Sequence, residues 1–474
     1  MVFSTSLFLF FFFPLFLLVY VFTPKTLKNS WILIASAAFY YWGAPLFIYI
    51  LIGATIIDFF LINQIHFSTT QKRKKLFLTA SLSLNLGLLF YFKYANFFVE
   101  NFNFALQRIG FDPVSWTKVA LPLGISFYTF ETLTYAIDVY RGVHAPLKRM
   151  HHYLLYIMCF PKLIAGPIVR FNHIADQIPN RNETTDDRIF GFYRFSIGLA
   201  KKVLIANTLG KFATETMQIP VENLDSSMAW LGIIAYTLQI YFDFAGYSDM
   251  ALGIGKIIGF SFPENFDNPY NARSITEFWR RWHMTLGDWM KNYLYIPLGG
   301  NQVDSKKRLY FNLIVVFLLS GLWHGASWNF IIWGAYHGLF LILDRMFLKK
   351  FLDKIGVLPS VLFTFLAVMI GWVFFSIEEF SHAVNYIKAM FSFDFSTGFY
   401  GIDKELATLF ILGLFFSFFG LFGFGKKIQT LAYKEHNYGF QGAFLTLLVG
   451  VILYGISASF VTASDFNPFI YWRF

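Results

Sequence analysis

The sequence predicts an all-α, polytopic membrane protein. Hydrophobic residues fill 56% of 474 positions and charged residues only 14%, too few charges to cover a water-soluble surface of that size. Phenylalanine alone contributes 63 residues. An aqueous core cannot hide that much apolar side chain, so lipid must solvate much of it. Apolar runs close to the length that spans a bilayer as a helix recur from end to end, with no soluble domain of useful size between them.

Candidate helices lie near residues 3–22, 31–48, 48–65, 76–93, 119–140, 153–169, 190–210, 228–248, 309–325, 327–346, 358–376, 404–424 and 440–461. Some are half-helices, so about 10 to 12 full spans are expected at roughly 20 residues each. The first run, Met1–Phe22, leads into "FTPKTLK" and has neither a basic leading region nor a small-residue cleavage site. It reads as a first transmembrane helix and not as a removed signal peptide. No internal repeat is evident, and residues 1–474 read as one integral-membrane domain.

The net charge of +10 would suggest a nucleic-acid partner in a soluble chain. Here it is topological, because Lys and Arg collect in the cytoplasmic loops of membrane proteins, and no nucleic-acid partner is expected. The basic clusters are Lys25 and Lys28; Lys72, Arg73, Lys74 and Lys75; Arg141, Lys148 and Arg149; Lys306, Lys307 and Arg308; Lys349, Lys350 and Lys354; and Lys426 with Lys427. If they face the cytoplasm, the N-terminus lies outside. The last helix then carries the C-terminal tail, 465–474, outside as well. The single cysteine, Cys159, excludes an internal disulfide and a cysteine-based metal cluster, and no metal site is expected. There is no phosphate-binding P-loop and no G-x-S-x-G elbow, which argues against ATP use and a hydrolase nucleophile. His151-His152 lacks the spacing and acidic partner of a zinc helix and reads as a solvated loop.

Four stretches carry possible chemistry. In "ITEFWRRWHMTLGDWMKNYLYIPLGG" (275–300), Phe278, Trp282, Leu286, Trp289 and Tyr293 recur at helical spacing. Arg280, Arg281, Asp288 and Lys291 lie opposite, so an amphipathic helix at the membrane interface is expected near 275–296. His283 falls at the edge of the apolar stripe, where it can snorkel to the interface or face a protein interior. In "LSGLWHGASWNFIIWGAYHG" (319–338), His324 sits between Gly321 and Gly325. Small neighbours let another backbone or a substrate approach the imidazole, and neutral histidine suits a general base. His337 is 13 residues further on and reads as a satisfied packing histidine. "YFDFAGYSDMALGIGK" (241–256) joins Asp243 and Asp249 to three glycines and suggests a broken helix. Its carboxylates can pair with arginine or backbone amides, or form a proton relay. "FPKLIAGPIVRF" (160–171) should be kinked or re-entrant. Arg170 at its end can hold an anionic group or pair with an acid.

Several of these segments, in this order, resemble the membrane-bound O-acyltransferase family in its bacterial polysaccharide-acetylating branch. They are "LPLGISFYTFETLTYAIDVYRG", "FPKLIAGPIVRF", "YFDFAGYSDMALGIGKIIGF", "NFDNPYNARSITEFWRRWHMTLGDWMKNYLYIPLGGN", "LSGLWHGASWNFIIWGAYHG" and the terminal "FIYWRF". "NLGLLFYFKYANFF" fits as well, and Glu131 stands where the branch suggests Gln. The resemblance implies a ring of tilted helices, with re-entrant and interfacial helices, around a tunnel from a cytoplasmic donor entrance to an outer acceptor site. It places the catalytic core at about 119–346. It implies that His324 is the catalytic base and that His283 shares the tunnel, at a position where many eukaryotic-type members hold Asn. The donor would be a thioester, acetyl-CoA, used as a substrate and not as a bound cofactor. Trp323 and Trp328 would exclude water, and Arg280, Arg281, Arg170 and Asp243 are candidates for binding the donor or substrate. The acceptor would be an extracytoplasmic polysaccharide such as alginate, reached through a separate SGNH-type acetyltransferase, with the chain in the bacterial cytoplasmic membrane. D-alanyl transfer to teichoic acid, or a non-enzymatic role in polysaccharide export, are the alternatives.

Overall fold

A computed structural model describes residues 1–396, 402–433, 439–463 and 469. Every regular element among them is a helix, so the all-α class holds. Among the described residues, seven helices are long and apolar enough to cross a membrane: Phe47–Phe67, Gln71–Arg108, Ser226–Ile257, Trp328–Ile355, Val357–Ser376, Lys404–Leu421 and Phe440–Ala463. Other runs read from the sequence form shorter, more polar or interrupted helices, and Phe8–Phe22 is a further short apolar one. Ile125–Arg141 carries the buried acids Glu131 and Asp138. Lys306–His324 opens on three basic residues. The run expected at 153–169 stops at Cys159, restarts as the short Phe160–Leu163 helix, and turns again at Gly166, where φ is +106°. The kink expected of "FPKLIAGPIVRF" is therefore present.

The contacts divide the chain into two compact units, 1–184 with 254–263, and 185–253 with 264–474. In the first, buried polar groups meet partners. Tyr20 donates to the Glu183 carboxylate at 2.6 Å, and Lys28 pairs with the same group at 2.6 Å. Asp58, fully buried, accepts from Ser81, from Tyr153 at 2.7 Å and from Asn85 at 3.2 Å. Lys162 and Glu131 form an ion pair with both side chains buried, and the Val169 N–H also donates to Glu131 at 3.2 Å. Such pairing is what polar groups at membrane depth require.

The second unit is organised by residues 226–253 of helix Ser226–Ile257, which runs 32 residues without a break. The interruption expected in "YFDFAGYSDMALGIGK" does not occur. Its glycines serve close packing instead: a Cβ on Gly246 would lie 2.6 Å from the Gly198 carbonyl oxygen, and one on Gly198 would lie 2.4 Å from that of Gly246. The carboxylates on this helix are paired. Asp243 meets Lys202 at 2.8 Å, and Asp249 meets Arg194 at 2.7 Å and Lys201 at 2.6 Å. Of the two roles open for these acids, the structure gives them ion pairing.

Helices Lys306–His324 and Trp328–Leu343 form a hairpin locked by the same device. A Cβ on Gly321 would lie 2.1 Å from the Phe330 carbonyl oxygen, and one on Gly334 would lie 2.3 Å from that of Phe317. Both obstacles are backbone and cannot rotate away. Gly321→Ala should therefore destabilise the protein by about 1–3 kcal/mol, the usual cost of overpacking, read as a lower thermal unfolding midpoint in detergent. Gly87→Ala, with nothing within 4 Å of the added atom, should leave the midpoint within experimental scatter.

The expected interfacial helix is broken. Ile275–Arg281 and Met284–Met290 are separate helices, joined at Trp282 and His283. His283 has φ +43° and ψ +53°, the left-handed region, so the chain turns there and the apolar stripe does not run straight through. The helical-wheel placement of His283 at the edge of a stripe does not apply.

Candidate active site

The turn at His283 is held by a loop that precedes it by eighteen residues. Asn265 is buried. Its main-chain carbonyl accepts from the Met284 N–H at 2.9 Å. Its side-chain oxygen takes the Thr285 hydroxyl at 2.9 Å and the Thr285 N–H at 3.4 Å, and it lies 3.0 Å from His283 Nδ1. Its amide nitrogen donates to Ser248 Oγ on the long helix at 3.1 Å. A second rung, from the Asp267 N–H to the Arg281 carbonyl at 2.9 Å, ties the loop to the chain just before the turn.

His324 is the last residue of its helix, before Gly325 extends the chain. Both histidines are buried, at 1% and 3% exposure, and one indole links them. The Trp323 ring lies 5.9 Å from His283 and 5.0 Å from His324, edge to face in each case. Trp333 at 5.1 Å and Phe375 at 5.2 Å also pack edge to face on His324, and Phe244 packs on His283 at 4.7 Å. Two imidazoles in an aromatic, low-dielectric surround suit proton transfer sheltered from bulk water. The close approach expected at the glycines beside His324 is real, but Phe330 makes it: its carbonyl faces Gly321 and its ring covers Gly325.

A family model described as MBOAT, the membrane-bound O-acyltransferase family, matches residues 147–378, a span that holds both histidines. "Probable alginate O-acetylase AlgI" of Azotobacter vinelandii is 38% identical over the whole of both chains. The protein of that name from Pseudomonas aeruginosa is 41% identical over 92% of this chain and 84% of its own. "Peptidoglycan O-acetyltransferase" of Helicobacter pylori is 36% identical over 82% of this chain and 80% of its own. This chain belongs to the membrane-bound O-acyltransferase family. It is a multi-pass membrane enzyme of acyl transfer.

Other residues expected at the site of this O-acyltransferase fall in different places. Trp323 is buried against both imidazoles, whereas Trp328 is 56% exposed; the second tryptophan on His324 is Trp333. Asp243 is engaged by Lys202. Arg281 pairs with Glu277 at 2.8 Å and reaches Asp267 at 3.4 Å, and Arg280 and Lys291 are exposed. Arg170 belongs to the first unit, 3.1 Å from the His173 ring. His337 is fully buried among Trp279, Trp333 and Trp372. It packs as expected, but neither ring nitrogen has a hydrogen-bond partner among the described residues. Of the tail, Phe469 is buried on Tyr247 at 4.7 Å and Phe244 at 5.8 Å; the rest of 465–474 lies outside the described residues.

Sequence reading missed Asn265, Thr285, Trp333 and Phe375. Asn265 stood in the quoted "NFDNPYN" without a role. Trp333 and His337 are four apart and so share a helix face, which was the available signal.

His283 lies outside the seven candidate spans, and burial pushes its imidazole down to about 3 from an ordinary value of 6.5. The folded ring therefore stays neutral at physiological pH. Below about pH 6.5 the unfolded chain gains a proton that the folded ring refuses, so stability falls as pH drops from 6.5 toward 3. His283→Gln removes this contribution. The unfolding midpoint of the wild type should fall more steeply between pH 7 and 4 than that of the variant. Parallel curves would contradict a neutral buried ring.

Proposed function

We propose that the enzyme moves an acetyl group from a cytoplasmic thioester donor, acetyl-CoA, through the membrane for O-acetylation of an extracytoplasmic polysaccharide such as alginate, with His324 as general base toward the acceptor hydroxyl. The observation that carries this is the pair of buried imidazoles bridged by Trp323, inside a chain 38% identical along its length to a protein named as an alginate O-acetylase. His324 takes the hydroxyl proton as the oxygen attacks the thioester carbonyl carbon. The carbon–sulfur bond then breaks, and the proton passes to the departing thiolate, giving an ester and a free thiol. Holding both reactants beside one imidazole supplies the proximity contribution, and Trp323, Trp333 and Phe375 limit competing hydrolysis. The exposed cations Arg280 and Lys291 are suited to draw in the phosphates of the donor. The chain would sit in the bacterial cytoplasmic membrane with both termini outside. It would hand the acetyl group on through a separate SGNH-type acetyltransferase.

A donor-swap assay tests this reading. Purified protein in nanodiscs is given labelled acetyl-CoA or a D-alanyl carrier protein, each with alginate oligosaccharides and the candidate partner. Thiol release and label on polymer with acetyl-CoA alone are expected. Turnover confined to the D-alanyl carrier would assign the enzyme to teichoic-acid chemistry instead.

A further inference from the structure

We propose that Asn265 is the positioning residue of the site. It holds His283 as the tautomer protonated on Nδ1, so that the neutral ring offers a lone pair on Nε2 and works as a hydrogen-bond acceptor. This rests on the acyl-transfer reading above and assigns the second histidine a role within it.

The argument begins with what the Asn265 oxygen can accept. The Thr285 N–H can only donate, and it points at that oxygen at 3.4 Å. The amide nitrogen is occupied in the other direction, donating to Ser248 Oγ at 3.1 Å. The atom 3.0 Å from His283 Nδ1 is therefore an acceptor. An unprotonated Nδ1 would set two lone pairs against each other at that distance, in a site where Asn265 is 1% exposed and His283 equally so. Nδ1 therefore carries the hydrogen, and a neutral imidazole has only one to place. The same asparagine supplies the backbone acceptor for Met284, so one residue fixes the turn, the ring orientation and the tautomer. This is the way a partner hydrogen-bonded to one imidazole nitrogen sets the chemistry of the other. A ring that presents a lone pair can accept a hydrogen bond from a hydroxyl or thiol and so orient it, but it offers no Nε2 hydrogen to an oxyanion.

Two measurements test this, one of them independent of turnover. In protein labelled with 15N-histidine and held in bilayers, the resonances lost on His283→Asn should show a protonated Nδ1 and an unprotonated Nε2. A protonated Nε2 would overturn the proposal even in a fully active enzyme. In the acyl-transfer assay, Asn265→Ala should lower kcat on the order of ten- to a hundredfold with little change in KM. Asn265→Asp keeps the acceptor and should recover most of the loss. Combined with His283→Asn, Asn265→Ala should cost no further activity, because its effect runs through that ring. A further tenfold loss in the double variant, or an Asp variant as impaired as the Ala variant with an unchanged unfolding midpoint, would show that Asn265 only supports the fold. If the wild type transfers no acyl group at all, the functional reading fails, while the nitrogen spectrum still decides the tautomer.

Discussion

Replacing His324 is expected to abolish acyl transfer while the protein stays folded. The expected loss in kcat is on the order of a hundred- to ten-thousandfold, the contribution of a positioned general base. The ring is 3% exposed and packed edge to face on Trp323, Trp333 and Phe375, so alanine would leave a void in the aromatic wall with its own stability cost. Glutamine fills more of that space and still cannot take a proton near neutral pH. The informative pair is therefore His324→Gln and His324→Ala, both assayed for thiol release from acetyl-CoA and both followed by thermal unfolding. Equal inactivity with a near-native midpoint for Gln is the expected pattern. Turnover within tenfold of wild type in the folded Gln variant would remove His324 as the base.

The largest stability effect is expected at the Lys162–Glu131 pair. Both side chains are at most 1% exposed, and the Val169 N–H also donates to Glu131 at 3.2 Å. Lys162→Met should cost about 3–5 kcal/mol, because breaking a buried pair strands a charge with no solvent to receive it. The double change Lys162→Met with Glu131→Gln removes both charges and should recover most of that loss, since well-packed neutral groups often match a buried ion pair. A double-mutant cycle on unfolding midpoints measures the coupling. Additive losses would mean that the pair does not depend on mutual neutralisation. Glutamine is also what the family resemblance suggests at 131, so this acid and its lysine form a local solution that the resemblance alone would not reveal.

Much of the site was legible because its residues violate local expectation. A histidine in "GLWHG" or "RRWHMTL" interrupts an apolar pattern, and polar groups at membrane depth need a reason. The glycines around His324 announced close packing, and the structure shows that Phe330 answers it. What stayed hidden depends on contacts between distant segments. Trp282 and Leu286 continue a helical stripe that the chain does not follow, because Asn265 and Asp267 pull the backbone into a turn that local periodicity cannot register. Trp328 and Trp333 look alike in sequence, and only the hairpin's packing decides that Trp333 turns toward His324. The glycines of 246–255 looked like breaks because glycine weakens a helix. Contact with a neighbouring backbone outweighs that propensity cost at Gly246.

The unusual backbone at position 283 filters side chains before chemistry enters. With φ at +43°, β-branched and bulky aliphatic residues are strongly disfavoured, whereas histidine and asparagine enter that region more readily than most. The two residue types that the family resemblance places here are thus both compatible with the local geometry. An alanine scan at this position would confound a conformational penalty with loss of the ring. Asparagine is the cleaner probe of what the imidazole contributes.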